Sequence, residues 1–393
     1  MTDANADRLR VAVIADLLEE EWPSMDLVAD MLTSEYARDP ATASTLVRAP
    51  FTARLGRVLG TNGRPPTVDR IVNRYWDYPR WLRAHPPAAD VHHIVDHSYA
   101  HLVDALPSGR VVVTCHDTDA FRTLFAPDLR ESSLPRALVR RSLRGLGRAA
   151  VVACVSEATR TELARHGVVQ TERLAVVPNG VHPSCRPEPD PVADGQATEL
   201  LASDSPTVDV LHVGSTIPRK RIDMLLDLVA ALVDKRPDVR LVRVGGPFTP
   251  AQEDRVRGLG IARHVRVLPF VSRPVLAAVY RRAALVVLPS DREGFGLPIV
   301  EAMACGTPVV ASDLPVLREV GGGAVEYCSV GDVAQWQAAV LALVAARAAD
   351  PAGWHSRQQV GLGRASLFSW ERYARQMRAI YASVASGLPH GAS

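Results

Sequence analysis

Lysine is nearly missing from this 393-residue chain: of 45 basic residues only Lys220 and Lys235 are lysine, and the rest are arginine. A GC-rich genome produces that bias, and a lysine kept inside a motif against it hints that a compact ammonium is needed there. Long apolar runs are missing too. No stretch approaches the roughly 20 uninterrupted apolar residues of a membrane helix. Cysteine is sparse: Cys115, Cys154, Cys185, Cys305 and Cys328 are scattered, odd in number and mostly inside apolar runs. That pattern predicts reduced, buried thiols rather than a disulfide or zinc framework. The twelve histidines show no metal-ligand spacing with Cys or carboxylates, and Asp117-Thr-Asp119 is not flanked like a metal-binding D-x-D. No metal and no cofactor is therefore expected. Net charge is only +2, which gives no global sign of a nucleic-acid partner. Residues 1–8 are polar and acidic, so neither a signal nor a transit peptide is expected, and the location expected is cytoplasmic. No G-x-G-x-x-G follows the first strand of either half, which argues against a nicotinamide oxidoreductase. No solenoid or propeller repeat is visible.

What is there suits two domains of ordinary size, with 47% apolar and 22% charged residues. A short apolar run, a turn and an amphipathic helical pattern recur along the chain, which predicts α/β architecture with parallel sheets. Strands are expected at 10–15, 91–95, 110–115, 150–155 and 174–178. A second series is expected at 208–213, 239–244, 265–268, 285–289, 308–311 and 324–327. Helical patterns cover 25–36, with Ser24 as N-cap, 68–83, 134–146 and 156–165. The stretch 183–207, rich in Pro, Asp, Ser and Ala, has almost no periodicity and reads as a linker. The expected organisation is an N-terminal Rossmann-like domain at 1–182, the linker, a C-terminal Rossmann-like domain at 208–368, and a helix and tail at 369–393 that pack across both. Doubly wound domains bind ligands at the carboxyl ends of their strands, so a central cleft between the two is expected.

The densest motif is Glu293-Gly-Phe-Gly-Leu-Pro-Ile-Val-Glu301. Gly294 and Gly296 allow tight, exposed backbone after a strand, and Pro298 suits the first turn of a helix. A helix start there offers free N–H groups and a positive dipole end to phosphate. Glu301, one turn into the helix, is placed to accept hydrogen bonds from ribose hydroxyls, and Glu293, in the loop, to reach a sugar ring. Two glutamates beside a strand-to-helix turn also occur on ordinary surfaces.

The block from Glu293 through Ala-Met-Ala-Cys-Gly-Thr-Pro-Val-Val-Ala-Ser312 resembles the donor-site motif of GT-B glycosyltransferases of family 4. Leu211-His-Val-Gly-Ser-Thr-Ile-Pro-Arg-Lys-Arg221 is similar to their diphosphate-binding turn, Val177-Pro-Asn-Gly-Val181 to their interdomain junction, and Thr114-Cys-His-Asp117 to their His-bearing loop. The resemblance implies a retaining hexosyltransferase that takes sugar from a nucleotide-diphosphate donor and passes it to a hydroxyl of a saccharide, natural product or lipid-linked glycan. It implies that Arg219 and Lys220 neutralise the diphosphate. Many family members place Arg directly after the turn glycine, where this chain has Ser215 after Gly214, so the clamp falls to Arg219 and Lys220. Phe270 and Val271 match the position that reads the base, and Gly294, Phe295, Gly296 and Leu297 complete the donor loop. A nucleotide-sugar epimerase or another non-transferase GT-B enzyme shares the fold. A phosphorylase would need a pyridoxal-bearing lysine, and neither lysine has such a context.

On the acceptor side the resemblance places His116 near the reacting centre. Asp117 either orients it or caps the next turn. Candidate acceptor contacts are Glu21, Trp22, His97, Tyr99 and His101, with core packing the alternative for the last three. Glu19-Glu-Glu21 suits a cationic or heavily hydroxylated acceptor, and also reads as a solvated charge run before a helix. Residues 48–83 carry eight arginines against Asp69 and Asp77, interleaved with Phe51, Tyr75, Trp76, Tyr78 and Trp81. Such a stretch suits peripheral contact with an anionic membrane, and equally an ordinary arginine-rich surface.

Overall fold

The computed structural model describes residues 8–55, 66–125 and 133–387. It divides into two compact units, Met1–Gly180 with Trp370–Ser393, and Val181–Ser369. Each unit is built on a fully parallel six-stranded sheet. The strands of the first are β1 (Leu9–Ile14), β2 (Thr42–Val47), β3 (Val91–Ile94), β4 (Val111–Cys115), β5 (Val151–Cys154) and β6 (Leu174–Val176), in the order β2-β1-β3-β4-β5-β6. The second holds β7 (Val208–Val213), β8 (Val239–Val244), β9 (Val265–Leu268), β10 (Leu285–Leu288), β11 (Val309–Ser312) and β12 (Val325–Cys328), in the order β12-β11-β10-β7-β8-β9.

Central strands such as Val-Val-Val-Thr-Cys in β4 and Leu-Val-Val-Leu in β10 are buried at every residue. Helices cover both faces of such a sheet, and continuous apolar runs are what burial on both sides requires. Each unit has its own core, around Ile14, Ile94 and Val113 in the first and around Leu225, Leu241 and Val287 in the second. In both sheets the strand order reverses once. The reversal lies between β1 and β3 in the first unit and between β7 and β10 in the second. At such a switch point the two connections leave in opposite directions and open a crevice beyond the strand ends.

Four expectations are corrected. Strand β2 was not expected, because an edge strand reading Thr-Ala-Ser-Thr-Leu-Val has little apolar alternation. The first helix spans Pro23–Arg38, so Trp22, not Ser24, stands at the N-cap, and Pro23 takes the first position its fixed φ suits. The helix expected at 68–83 runs over Thr67–Ala84 but widens to a π turn at Asn73–Asp77. Pro79 has no N–H to give the Tyr75 carbonyl, and the Arg141 guanidinium bonds that oxygen instead at 2.9 Å. The supposed linker contains a helix, Pro191–Leu201, capped by Asp190 and tied to the second unit by Asp194–Arg281 at 2.7 Å. Its buried face is only Ala193, Ala197 and Leu201, too small for a periodic signal.

The last helix, Trp370–Ser386, groups with the first unit. Tyr381 bonds His93 at 2.7 Å, Arg378 pairs with Asp39, and Tyr36 donates to the Ala374 carbonyl. Residues 1–7 and 388–393 of the expected end segments, and 56–65 of the arginine-rich stretch, lie outside the described residues.

Candidate functional site

In the second unit the two loops that leave the switch point carry the motif residues. After β7 the chain turns through Gly214–Ile217 and one 3₁₀ turn, Pro218–Lys220, into the helix Ile222–Lys235. Arg221 joins them at φ 50°, a left-handed conformation rare for a residue with a side chain. After β10 comes Ser290–Glu293, and the helix Leu297–Ala304 begins at Gly296, whose φ is 89°. A Cβ there would be strained at that φ and would also push the Leu317 side chain aside, since Cδ2 lies 2.6 Å from it, so glycine suits this position on both counts.

These loops bring Arg219, Lys220 and Glu293 together. Lys220 Nζ donates to Glu293 Oε1 at 2.6 Å and Arg219 to Oε2 at 2.9 Å, while the Ser290 hydroxyl adds a third bond at 2.7 Å. The Asp291 N–H bonds the Arg219 carbonyl and holds the loops in register. The side chains are 15%, 10% and 5% exposed for Arg219, Lys220 and Glu293. Burial alone would raise the Glu293 carboxyl, but Lys220 and Arg219 outweigh it and hold the group down to about 2. Glu301 behaves in the opposite way. Burial pushes it up to about 7, only partly opposed by the Tyr280 hydroxyl, which donates at 2.8 Å, and by Arg273.

The remaining donor-side candidates divide. Gly214 and Ser215 form the turn after β7, and Phe270 is 74% exposed with its ring against Gly246. Val271 and Leu297 are half-buried. Phe295 turns inward, edge-on to Phe368 at 5.6 Å, and so contributes packing through its ring.

In the first unit the structure assembles His116, His97 and Asp117 just beyond β3 and β4. His116 Nε2 bonds the Val95 carbonyl at 2.7 Å, and its backbone N–H donates to His97 Nδ1 at 3.3 Å. Burial lowers the His116 imidazole, with the Asp96 carboxylate opposing, which favours the neutral ring. Asp117 accepts from the Asp119 N–H and lies 3.8 Å from His97 Nε2, so it caps the turn and faces His97. Tyr99 and His101 are interior. The Tyr99 hydroxyl accepts from the Leu17 N–H, and His101 is fully buried, stacked on Tyr75 and bonded to the Arg74 carbonyl. Glu21 is exposed, and Trp22 lies under the Arg74 guanidinium.

The glutamate run is not simply solvated. Glu20 is buried and lies 3.4 Å from Arg70 and 3.8 Å from Arg74. Arg48 pairs with Asp26 and Arg54 with Asp77. Much of the basic charge described in 48–83 is thus matched by carboxylates within the unit.

Several residues at these sites were not singled out in the sequence. Asp16 and Asp96 occupy the first switch point. Asp16 is buried beside Asp96, and burial and that neighbouring carboxylate push it well above the usual carboxylate range. Its following segment, Leu-Leu-Glu-Glu-Glu, offered no motif to draw attention to it. Tyr280 and Arg243 were missed as well. For Arg243 a signal existed: a charge just before the end of an apolar central strand. Among the described residues no group of three His, Cys, Asp or Glu side chains is placed to hold a metal ion. No described helix is long and apolar enough to cross a membrane.

Two doubly wound units in one chain, the second with cations gathered at its switch point, give the GT-B architecture. The model for Glycosyltransferase Family 4 matches residues 17–184, and that for Glycosyl transferases group 1 matches residues 207–346. The chain belongs to this family. Among curated relatives, the D-inositol 3-phosphate glycosyltransferase of Segniliparus rotundus is 33% identical over 57% of this chain and 50% of its own length. That of Mycobacterium marinum is 40% identical over 44% and 37%. The chain thus spans about half the length, or less, of these relatives. Among solved structures, sucrose-phosphate synthase of Thermosynechococcus elongatus matches 97% of this chain and 100% of its own at a TM-score of 0.73 and 20% identity. Anabaena HepE, in complex with UDP and glucose, matches 96% and 100% at 0.72 and 17%. At these identities the likeness is one of fold.

Proposed function

We propose that this chain is a retaining glycosyltransferase that moves a hexosyl-type sugar from a nucleoside-diphosphate donor to a hydroxyl acceptor, and that the donor binds at the switch point of the second unit. The observation that carries the reading is the pairing of Arg219 and Lys220 on one buried carboxylate at the mouth of two glycine turns. The cations are already desolvated and oriented, so a diphosphate meets a preorganised counter-charge. Solved HepE structures in complex with UDP and UDP-glucose add support by analogy of fold.

In the proposed reaction the bond from the sugar C1 to the diphosphate oxygen breaks, and Arg219 and Lys220 stabilise the charge that develops on the leaving oxygen. The acceptor oxygen forms its bond to C1 on the same face. Its proton passes to an oxygen of the leaving phosphate, and because the new bond forms on the face the phosphate leaves, the anomeric configuration is retained. Amide groups at the start of the helix Leu297–Ala304 add dipolar stabilisation to the phosphates. Glu293 turns to the sugar hydroxyls as the diphosphate takes over its cations, and Glu301 accepts from the ribose. The first unit, with His116, His97 and Asp117, serves the acceptor side. Side chains and a helix terminus supply the counter-charge, so binding needs no metal ion.

A thermal-shift panel of UDP, GDP, ADP and dTDP in EDTA tests the reading. One of the four at 100 times its dissociation constant should add about 2.7 kcal/mol of stability. Stabilisation that appears only after Mn²⁺ is added would contradict the metal-free donor site.

A further inference from the structure

Arg243 is the last charged residue of β8 and is completely buried. Its neighbours show what is unusual about it. Arg240, on the same strand, forms a two-pronged pair with Asp209, and Arg236 does the same with Asp238. Arg243 has no carboxylate partner among the described residues. Its guanidinium donates instead to three carbonyls, those of Gly214 at 3.0 Å, Gly245 at 3.4 Å and Gly246, and it lies over the face of Phe248. Burial brings it down to about 10, so it stays protonated at neutral pH. The neighbouring His212 brings no negative charge. It is buried, neither ring nitrogen has a hydrogen-bond partner among the described residues, and burial, Arg243 and Lys220 push it down to about 3, so it is neutral.

A buried cation without a counter-ion is strongly disfavoured. The three carbonyls recover part of that cost, and their positions show what the arrangement does. Gly214 opens the turn that leads to Arg219 and Lys220, and Gly245–Gly246 is the turn after the adjacent strand. The two turns touch backbone to backbone: a Cβ on Gly245 would collide with the Gly214 carbonyl. In a planar trans peptide the N–H points opposite to the C=O. Drawing the Gly214 and Gly245 carbonyls inward to Arg243 therefore turns the N–H groups of Ser215 and Gly246 outward. Neither of these amides is hydrogen-bonded within the described chain, Ser215 is exposed and Gly246 half-exposed. Each peptide is polarised by the cation behind it, which makes the outward N–H a stronger donor.

We propose that Arg243 is a positioning residue for the anionic end of the donor: from behind the two glycine turns it aims the Ser215 and Gly246 amides at a diphosphate and adds a positive charge to that end of the site. The inference rests on the donor reading of the second unit and extends it. Arg219 and Lys220 share the one negative charge of Glu293 before ligand binds, and Arg243, which has no carboxylate partner among the described residues, adds a further positive charge for a phosphate anion to meet.

The test uses the full chain and whichever of UDP, GDP, ADP or dTDP stabilises the wild type, with the matching nucleoside as control. Arg243→Met keeps the volume and removes the charge. It should unfold cooperatively in urea, bind the diphosphate about 10–100-fold more weakly, and bind the nucleoside as the wild type does. Arg243→Lys keeps the charge but cannot span both turns, so it should fall between the two. Wild-type diphosphate affinity in Arg243→Met overturns the proposal. So does equal weakening of diphosphate and nucleoside, which is what a general loosening of the pocket would give. If Arg243→Met does not fold, the same comparison is read from Arg243→Lys. If no nucleotide binds the wild type, the donor reading fails by itself. Inorganic pyrophosphate then probes the anion site directly, and no stabilisation of the wild type by it would overturn the role of Arg243 as well.

Discussion

Lys220 is the residue where composition and geometry meet. In a chain that writes almost every cation as arginine, this lysine is buried and gives a 2.6 Å bond to Glu293, with Arg219 on the other carboxylate oxygen. Both carboxylate oxygens of Glu293 are already taken, one by the ammonium and one by the Arg219 guanidinium, so a second planar fork would compete for partners already paired. Lys220→Ala should lower turnover by about 10²–10³, the usual consequence of losing one preorganised stabiliser. Lys220→Arg should fold and remain clearly impaired; steady-state kinetics with activity near wild type would show the lysine to be incidental. Glu301 gives a pH signature. Its carboxyl, raised to about 7 from an ordinary 4.5, binds a proton more tightly in the folded chain than in the unfolded one. That contribution is full below about pH 4.5 and is lost as pH rises through 7. The stability of wild type relative to Glu301→Gln, from urea midpoints, should therefore fall between pH 5 and pH 8, and a flat difference would contradict the burial argument. What was legible is the clustering: the motif spacing predicts one place for Arg219, Lys220 and Glu293, and the structure brings their side chains together. Residues were not legible where three-dimensional neighbours decide. Nothing local marks Tyr280 as the donor to Glu301, or His101 as an interior residue bonded to the Arg74 carbonyl.

At the scale of elements, the turn into Leu297–Ala304 concentrates the strictest local requirement. Gly296→Ala must place a Cβ at φ 89° and 2.6 Å from Leu317. It should cost about 1–3 kcal/mol in urea unfolding and weaken nucleotide binding along with stability. An unchanged midpoint would show that the loop can shift freely. Most strands were legible because buried parallel strands write continuous apolar runs. The exceptions share a cause. Strand β2 lies at a sheet edge with half its side chains outward, and the helix Pro191–Leu201 buries only a narrow Ala-Ala-Leu stripe. Where little apolar surface is buried, periodicity carries little information.

For the whole molecule, two series of apolar runs were enough to read two doubly wound units. Assignment of the last helix to the first unit was not, because it depends on contacts such as Tyr381–His93 between residues far apart in sequence. The central claim is that a nucleoside diphosphate binds where β7 and β10 part in the second sheet. Hydrogen–deuterium exchange of the full chain, with and without the nucleotide that stabilises it, tests this most directly. The predicted result is new protection in peptides covering 214–221, 245–247 and 290–304, with β9 and β12 at the sheet edges unchanged. Protection confined to the first unit, or spread evenly over the second, would contradict it.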